Sequence, residues 1–377
     1  MTRLIVPVLA CLLLASACAA PASAPAGGAP RAETGQAKPA AVAPAASAPA
    51  PAAAPAAPPP TPIRVTMAYS TASAANSPLQ LAQDQGVFRK HGLDVELIHA
   101  MANAGPAALV SGQAQVLSAG CAEATTVVSG GADAVILLTS INRMQYMLAG
   151  SPSIAGPHDL RGKRLAVSRF GSSSHLATKF MVKHLGYDPE NDVSYLQVGN
   201  TPERVSALLA GSVDGSILSA DEGALIGAQP GMHIIVDMTK ENISYCGNAI
   251  TTMRTYTRDQ PEAVRRVARS VVESLLRFKR IKAEGVDAVA RFLDEDPQKA
   301  ERLWETWIRL FPDRPHPDLK GLEFVLDEIG QADPRAKALN PEQLVDPSWM
   351  RELEQSGFVD QVMAAVGPDP YSPAPRN

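Results

Sequence analysis

Residues 164–180 read RLAVSRFGSSSHLATKF, which joins a short apolar run, a glycine and a helix-like pattern. The run RLAVS predicts a strand, Gly171 predicts a tight turn, and the residues from Ser173 onward predict a helix. Three serines stand at the junction. Such a junction can hold a catalytic nucleophile, cradle a phosphate, or bind a ligand through hydroxyl and backbone N–H groups.

Strand and helix patterns alternate along most of the chain. A strand signal at Ile63–Tyr69 precedes a helix that begins at Ser77 and is expected to run to about Lys90. The alternation restarts after residue 157 as a second, smaller unit. This order predicts an α/β fold in which each unit is a mainly parallel sheet covered by helices. Residues 259 to about 365 show helical patterns, so a helical C-terminal region is predicted.

The loops that follow the predicted strands are small and polar. In open α/β sheets, ligands bind beyond the carboxyl ends of the strands, where helix N-termini present free N–H groups. Ordinary helix capping explains one such loop, whereas several loops in two units favour a shared ligand cleft. Aromatic residues such as Tyr245 would form one wall of this cleft. The predicted ligand-binding residues are Ser70, Ser73, Asn76, Cys121, Glu123, Asn142, Gly171, Ser172, Ser173, Ser174, Asn200, Asp221 and Tyr245.

Four stretches carry a resemblance to a known family. Residues 81–96 (LAQDQGVFRKHGLDVE) and 109–116 (LVSGQAQV) are similar to two family motifs, although Gln115 stands where the second motif usually has Asp. Residues 159–167 (DLRGKRLAV) and 208–215 (LLAGSVDG) are similar to two further motifs. On these residues the chain resembles the type II periplasmic solute-binding proteins, in the family of sulfonate, taurine, nitrate and thiamine-precursor receptors of ABC importers.

The resemblance covers about residues 63–360 and implies two lobes that close over a small-molecule ligand by hinge motion. It implies a monomeric receptor that delivers this ligand to the permease of an ABC importer. An exported sensor or scaffold of the same fold stays an alternative. So does a catalytic branch, the pyrimidine synthases of thiamine biosynthesis, whose cysteine-rich run this chain does not match. The implied boundaries are 63–150 plus 248–377 for lobe 1 and 152–244 for lobe 2, with crossings at 150–152 and 245–248.

Motifs of enzymes and of metal sites are not matched. The stretch 156–164 (GPHDLRGKR) is one residue too long for a P-loop, and Arg164 replaces the hydroxyl residue that would hold Mg²⁺. The serine loop (residues 168–174) is not a G-x-S-x-G elbow, and His175 falls in the first turn of the predicted helix. The seven histidines show no metal-ligand spacing. We therefore predict a binding protein without catalytic residues, cofactor or metal.

Charged residues in the same loops restrict the ligand. Arg143 and Arg169 stand near strand ends and would add positive charge to an anion site. Glu123, Asp221 and Glu222 would instead repel a simple oxyanion and suit an amine or a heterocyclic N–H group. Carboxylates also stabilise the first turns of helices, which is the alternative explanation for all three. We expect a small organic ligand of mixed polarity rather than nitrate or sulfate.

The N-terminus has the pattern of an export signal. Residues 1–17 contain a short positive start, the apolar run LIVPVLACLLLA and small residues that predict cleavage before Cys18. The arrangement resembles a lipobox, so lipidation of Cys18 is predicted, with plain secretion as the alternative. Residues 18–61 are rich in Ala and Pro and predict a disordered tether. The expected location is the periplasm or the cell surface, with a lipid anchor in the membrane.

The composition argues against a nucleic-acid partner and bears on whether two cysteines form a disulfide. The formal net charge of −4 gives no electrostatic support for nucleic-acid binding. Only Cys121 and Cys246 fall in the predicted globular part. Two cysteines in an oxidising compartment can form a disulfide, but a core of this size does not require one, and we expect them to be unpaired.

Overall fold

The computed structural model describes residues 61–370, apart from 102, 103, 171, 227–229, 231 and 332. Three predictions fall on residues that are not described, namely the signal peptide (1–17), the lipidated Cys18 and all but the last residue of the tether (18–61). They stay predictions.

Ten strands in the described part of the chain form two sheets of five strands each. They are β1 (Ile63–Tyr69), β2 (Leu93–His99), β3 (Val116–Ala119), β4 (Ala134–Arg143), β5 (Tyr146–Gly150), β6 (Arg164–Val167), β7 (Ser194–Gln197), β8 (Gly215–Ser219), β9 (His233–Asp237) and β10 (Ser244–Met253). The first sheet has the order β2-β1-β3-β10-β4, and the second has the order β7-β6-β8-β5-β9. In the first sheet β10 is antiparallel to both of its neighbours, and in the second sheet β5 is. The other four strands of each sheet therefore run in one direction. The predicted α/β fold with two mainly parallel sheets is confirmed.

Helices connect the strands and are the main elements of the described part of the chain after β10. The α-helices among the described residues are α1 (Ser77–Asp84), α2 (Val87–Lys90), α3 (Ala104–Ser111), α4 (Cys121–Ser129), α5 (Ser173–His184), α6 (Thr201–Leu209), α7 (Ala220–Ile226), α8 (Arg254–Asp259), α9 (Pro261–Arg280), α10 (Lys282–Leu293), α11 (Pro297–Trp307), α12 (Leu319–Gly330), α13 (Pro334–Lys337), α14 (Ser348–Gln355) and α15 (Phe358–Val366). The eight helices from α8 onward confirm the predicted helical C-terminal region.

The chain passes between the two sheets at two places. It leaves the first sheet at Arg143, the end of β4, and returns to it at Ser244, the start of β10. These two residues are register partners, so the chain leaves the first sheet and returns to it at neighbouring positions. The sequence placed the first crossing at 150–152 and assigned 63–150 to lobe 1. The structure instead places β5 in the second sheet, because it pairs with β8 and β9. The return crossing precedes β10 rather than lying at 245–248.

Helix α9 anchors the helical region to the first sheet. Its apolar residues Val264, Val267, Val271, Leu275 and Phe278 recur every three or four positions and therefore share one face. All five are buried. The face packs in one hydrophobic core with residues of α1, α2 and β2. Burial of this apolar stripe, rather than helix propensity, holds the helix in place.

A glycine divides the first predicted helix. Gly86 has a φ of 65°, in the left-handed region that costs a residue with a side chain about 1 kcal/mol or more. Helix α1 ends at Asp84 and α2 begins at Val87, directly after this turn. The prediction of one helix from Ser77 to about Lys90 is therefore wrong at this position.

Glu273 on α9 is a buried carboxylate that hydrogen-bonds with two basic residues and lies 3.8 Å from a third, Arg277. Its side chain accepts from Lys90 Nζ at 2.7 Å and lies 2.8 Å from His91 Nε2. Burial by itself raises the pKa of Glu273, but the hydrogen bonds and charges of His91 and Lys90 outweigh it. Together they lower the pKa of Glu273 from 4.5 to about 2. The ionised carboxylate is thus stabilised by folding.

We expect Glu273→Gln to lower the free energy of unfolding at neutral pH by about 3 kcal/mol, because two basic groups lose their buried acceptor. The folded-state pKa of Glu273 lies below the unfolded one, so this stability is present above pH 4.5 and is lost as the pH falls toward about 2. Denaturant titrations of both proteins across this range measure the difference. As a control, Glu352→Gln removes an exposed partner of Arg265 and should cost less than about 1 kcal/mol. A difference that persists unchanged at the acid end contradicts the assignment.

Candidate ligand-binding site

Loops from both sheets line one cavity of about 380 Å³, here called the cleft cavity. The loops that follow β1, β3 and β8 contribute, as do the first residues of β10 and the crossing between β4 and β5. The lining residues are Thr71, Ala72, Ser73, Ala75, Asn76, Gly120, Cys121, Ala122, Glu123, Gln145, Tyr146, Ser219, Asp221, Glu222, Tyr245, Cys246, Gly247, Asn248 and Trp307. A cavity of this volume accommodates a small organic molecule.

A buried hydrogen-bond network holds two lining residues of the cleft cavity, Asn76 and Asn248. Asn248 Nδ2 on β10 lies 3.1 Å from both Ser118 Oγ and Ser140 Oγ, to which it donates. Ser118 Oγ in turn donates to Asn76 Oδ1 at 2.8 Å. These four side chains are buried and come from the loop after β1 and from β3, β4 and β10. A satisfied polar network of this kind fixes the relative positions of the elements that it joins.

Cys121 and Cys246 form a disulfide that lines the cleft cavity. The expectation that they are unpaired is wrong. Because β3 and β10 are neighbours in the first sheet, the start of α4 lies beside the start of β10. The two Cα atoms are 5.6 Å apart, within the usual range for a disulfide. Cys121 therefore contributes to the site as half of a disulfide and not as a free thiol.

Asp221 connects the second sheet to the first across the cleft cavity. It follows β8, yet its carboxylate accepts from Ser73 Oγ, from the Ala74 N–H at 3.2 Å and from Trp307 Nε1 at 2.7 Å. Burial raises the pKa of Asp221, and the hydrogen bonds from Ser73, Trp307 and Ala74 limit the rise. All three donors belong to the part of the chain that carries the first sheet, so Asp221 holds the two parts together.

Glu123 and two tyrosines form a second polar group in the cleft cavity. Glu123 lies in the first turn of α4, and burial raises its pKa while its own backbone N–H opposes the rise. The rings of Tyr146 and Tyr245 meet edge to face, with centroids 6.1 Å apart. Burial raises the pKa of both tyrosine hydroxyls, and the negative charge of Glu123 adds to the rise. The carboxylate of Glu123 therefore lies close enough to act on both hydroxyl groups.

The serine loop is organised by its own hydrogen bonds. Ser172 is the N-cap of α5, and its hydroxyl accepts from the His175 N–H at 3.3 Å. The hydroxyls of Ser168, Ser172 and Ser174 lie 2.8 to 3.0 Å from one another. Ser174 Oγ also accepts from the Ser168 N–H at 2.9 Å. These contacts account for the hydroxyls of Ser172 and Ser174 without a ligand.

Neither Ser172 nor Ser174 lines the cleft cavity. The loop that contacts residues 73 and 74 from the second sheet is instead the one that begins at Ser219, through Asp221. Gly171 and the side chain of Ser173 belong to the parts that the structure does not describe. A role of the serine loop in binding is therefore a prediction that the geometry of Ser172 and Ser174 does not support.

Three further predicted residues also lie outside the lining of the cleft cavity. Ser70 follows β1, and its N–H donates to the Ser118 oxygen at 3.1 Å. Asn200 caps α6 in a capping box with Glu203. Asn142 lies on β4, and its Oδ1 is buried without a hydrogen-bond partner among the described residues. Strand pairing and capping thus explain the positions of Ser70 and Asn200.

The cavity lining includes six of the predicted site residues, which are Ser73, Asn76, Cys121, Glu123, Asp221 and Tyr245. Sequence reasoning missed Gln145, Tyr146, Asn248 and Trp307 as site residues. Gln145 and Tyr146 lie at the first crossing, where the strand β5 was not predicted. Trp307 lies on α11, in the helical C-terminal region, where no site residue was predicted.

The described residues contain neither a group placed to hold a metal ion nor a helix suited to span a membrane. Within residues 61–370, with their gaps, no group of three or more His, Cys, Asp or Glu is placed to hold a metal ion. None of the helices in this part of the chain is long and apolar enough to span a membrane.

Solved structures with a similar fold define the class of protein. The putative sulfonate-binding protein SsuA of Methylobacillus flagellatus KT is 18% identical, with a TM-score of 0.63 over 79% of this chain and 97% of that one. The nitrate-binding protein NrtA of Synechocystis PCC 6803 is 12% identical, with a TM-score of 0.63 over 80% and 91%. The desulfurization enzyme DSZB is 16% identical, with a TM-score of 0.56 over 78% and 99%. The chain therefore has the two-lobed fold of type II periplasmic binding proteins, which an enzyme also uses.

A family model identifies the family within this class. The model described as NMT1/THI5 like matches residues 74–277, more than half of the 377 residues. The chain belongs to this family, and the resemblance carried by the sequence motifs is confirmed. A comparison with curated proteins finds no match.

The disulfide closes a loop of 125 residues that contains the entire second sheet. We expect the double variant Cys121→Ala plus Cys246→Ala to lose about 2 to 5 kcal/mol of unfolding free energy, because its unfolded chain is less constrained. Denaturant titration with and without reductant measures the loss. Reductant should lower the stability of the wild-type chain to that of the variant and leave the variant unchanged. Equal stability of the oxidised and reduced wild-type chains contradicts this prediction.

Replacement of Asp221 should separate the two lobes. Asp221→Ala removes three hydrogen bonds between them, on the order of 3 kcal/mol in total. We expect a larger radius of gyration in small-angle X-ray scattering of the ligand-free protein. Glu222→Gln is the matched control, because it removes the same charge from the same helix but leaves these hydrogen bonds intact. Equal radii for the two variants refute a bridging role for Asp221.

Proposed function

We propose that this chain is an extracytoplasmic receptor that captures a small organic molecule in the cleft cavity and delivers it to the permease of an ABC importer. The observation that carries the proposal is that loops from both sheets enclose a cavity of about 380 Å³. Such a cavity is the usual ligand site between two lobes. Membership in the NMT1/THI5-like family and a fold shared with sulfonate- and nitrate-binding proteins support the same function.

In this proposal the lobes follow the two sheets. Lobe 1 comprises about residues 63–143 together with 244–370, and lobe 2 comprises about 146–237. The chain would act as a monomer, as the family resemblance implies. The segment before residue 61 would export the protein and, through a lipid on Cys18, tether it to the membrane. A long Ala/Pro-rich spacer suits a receptor that must reach a membrane permease.

The composition of the lining supports binding rather than turnover. Among the described lining residues there is no histidine, and both cysteines are joined in the disulfide. A thiol nucleophile or a histidine base, which a catalytic relative of this fold would need, is therefore not offered by these residues. Their carboxylates, amides and aromatic rings suit the recognition of a ligand.

The full chain, purified and measured by native mass spectrometry, tests this function. We expect a retained small molecule at one copy per chain, or a thermal shift when a ligand from a broad panel is added. A ligand at one hundred times its Kd should add about 2.7 kcal/mol to the free energy of unfolding. The panel contains amines, nitrogen heterocycles, sulfonates and carboxylates. If no molecule is retained and no class in the panel produces a thermal shift, the receptor function is overturned.

A further inference from the structure

Negative charge dominates the lining of the cleft cavity. Glu123, Asp221 and Glu222 line it, whereas no Lys, Arg or His does so among the residues that the structure describes. Arg204 approaches Glu222 at 4.0 Å, but this side chain is buried and donates to backbone oxygens of its own lobe, including Gly199 at 2.9 Å. Arg204 therefore approaches one of the three carboxylates, Glu222, and does not line the cavity itself.

The three carboxylates differ in the hydrogen bonds that they accept from the protein. Asp221 accepts three hydrogen bonds from lobe 1, and Glu222 accepts from the Ser219 N–H at 2.8 Å. Within the described part of the chain, Glu123 accepts only from its own backbone N–H. Gln145 Oε1 also faces no donor there, although it is buried at the cavity. Glu123 and Gln145 thus offer acceptors that a donor-bearing ligand can satisfy.

Aromatic rings also line the cleft cavity that contains Glu123. Tyr146, Tyr245 and Trp307 all line the cleft cavity. The faces of tyrosine and tryptophan rings attract cations, and the attraction is stronger where water is excluded. The indole N–H of Trp307 is already bound to Asp221, so its ring is held in a fixed position. Carboxylates and electron-rich rings that line the same cavity are an arrangement that favours an organic cation.

We infer that the cleft cavity selects an organic cation, either an amine or a protonated nitrogen heterocycle, and that Glu123 binds its positive charge. This inference rests on the receptor function proposed above. A sulfonate, nitrate or carboxylate would meet like charge, and none of the described lining residues offers it a cationic partner. The sulfonate- and nitrate-binding proteins of the same fold are named for anions, a class of ligand that the described lining of this cavity disfavours.

Matched probes test the sign of the charge directly. Thermal shift and calorimetry on the full chain compare benzylammonium with benzyl alcohol, and choline with the neutral analogue that has carbon in place of nitrogen. Ethanesulfonate and benzoate represent anions of similar size. A library of small amines and nitrogen heterocycles, matched by an equal library of anions and neutral molecules, extends the comparison. We expect stabilising ligands among the cations only.

Glu123→Gln tests the residue. We expect it to weaken binding of the best cation at least tenfold, since a charge-assisted contact becomes a neutral one. We also expect a higher melting temperature for the empty variant, because the buried carboxylate disfavours its own charged form. Glu123→Asp, which keeps the charge, should retain part of the affinity. The surface variant Glu352→Gln should bind like the wild-type chain.

Each result separates this inference from the receptor function. If a sulfonate or a neutral molecule is the best ligand, the receptor function stands and the selection of cations is wrong. If cations bind but Glu123→Gln binds them equally well, the role of Glu123 is wrong. If no class binds, the receptor function and the inference both fail.

Discussion

One residue pair, Arg143 with Ser244, joins the second sheet to the first. The whole of the smaller lobe is inserted between these two residues, which face each other across β4 and β10. The neighbouring residues then become part of the site: Gln145 lies just after the point of departure, and Cys246 lies just after the return. Because both strands belong to one ladder, the hinge motion that the family resemblance implies would use the few residues outside it. The elements that would permit closure therefore also line the cavity.

The cleft cavity contains the polar groups that are least suited to a protein interior. Burial raises the pKa of both Glu123 and Asp221, so each would be easier to bury in its neutral form. Asp221 is compensated by donors from the opposite lobe, and this compensation exists only while the lobes are together. Glu123 has no such donor among the described residues. In physical terms, one carboxylate favours contact between the lobes and the other is left to the ligand, while the network around Asn248 joins β3, β4 and β10.

Much of the fold was predictable because local signals agree with the packing. The strand Ile63–Tyr69 was predicted with its observed bounds, since its alternation matches a half-buried surface. The pairing of Cys121 with Cys246 was not predictable, because only the neighbouring positions of β3 and β10 bring them together. The same holds for Trp307, whose helical spacing is that of any buried face. At the serine loop, the residues that cap a helix are those that would also bind a ligand, so sequence could not distinguish the two roles.

The disulfide also has a consequence for how the molecule is assembled. A chain made from its N-terminus presents Cys121 while the 125 positions up to Cys246 are still to come, and these include every strand of the second sheet. In the native fold the bond requires β10 to lie between β3 and β4, since this position brings its cysteine to α4. The bridge therefore ties the returning strand to the first sheet at the point where the inserted lobe ends and before the helical region begins.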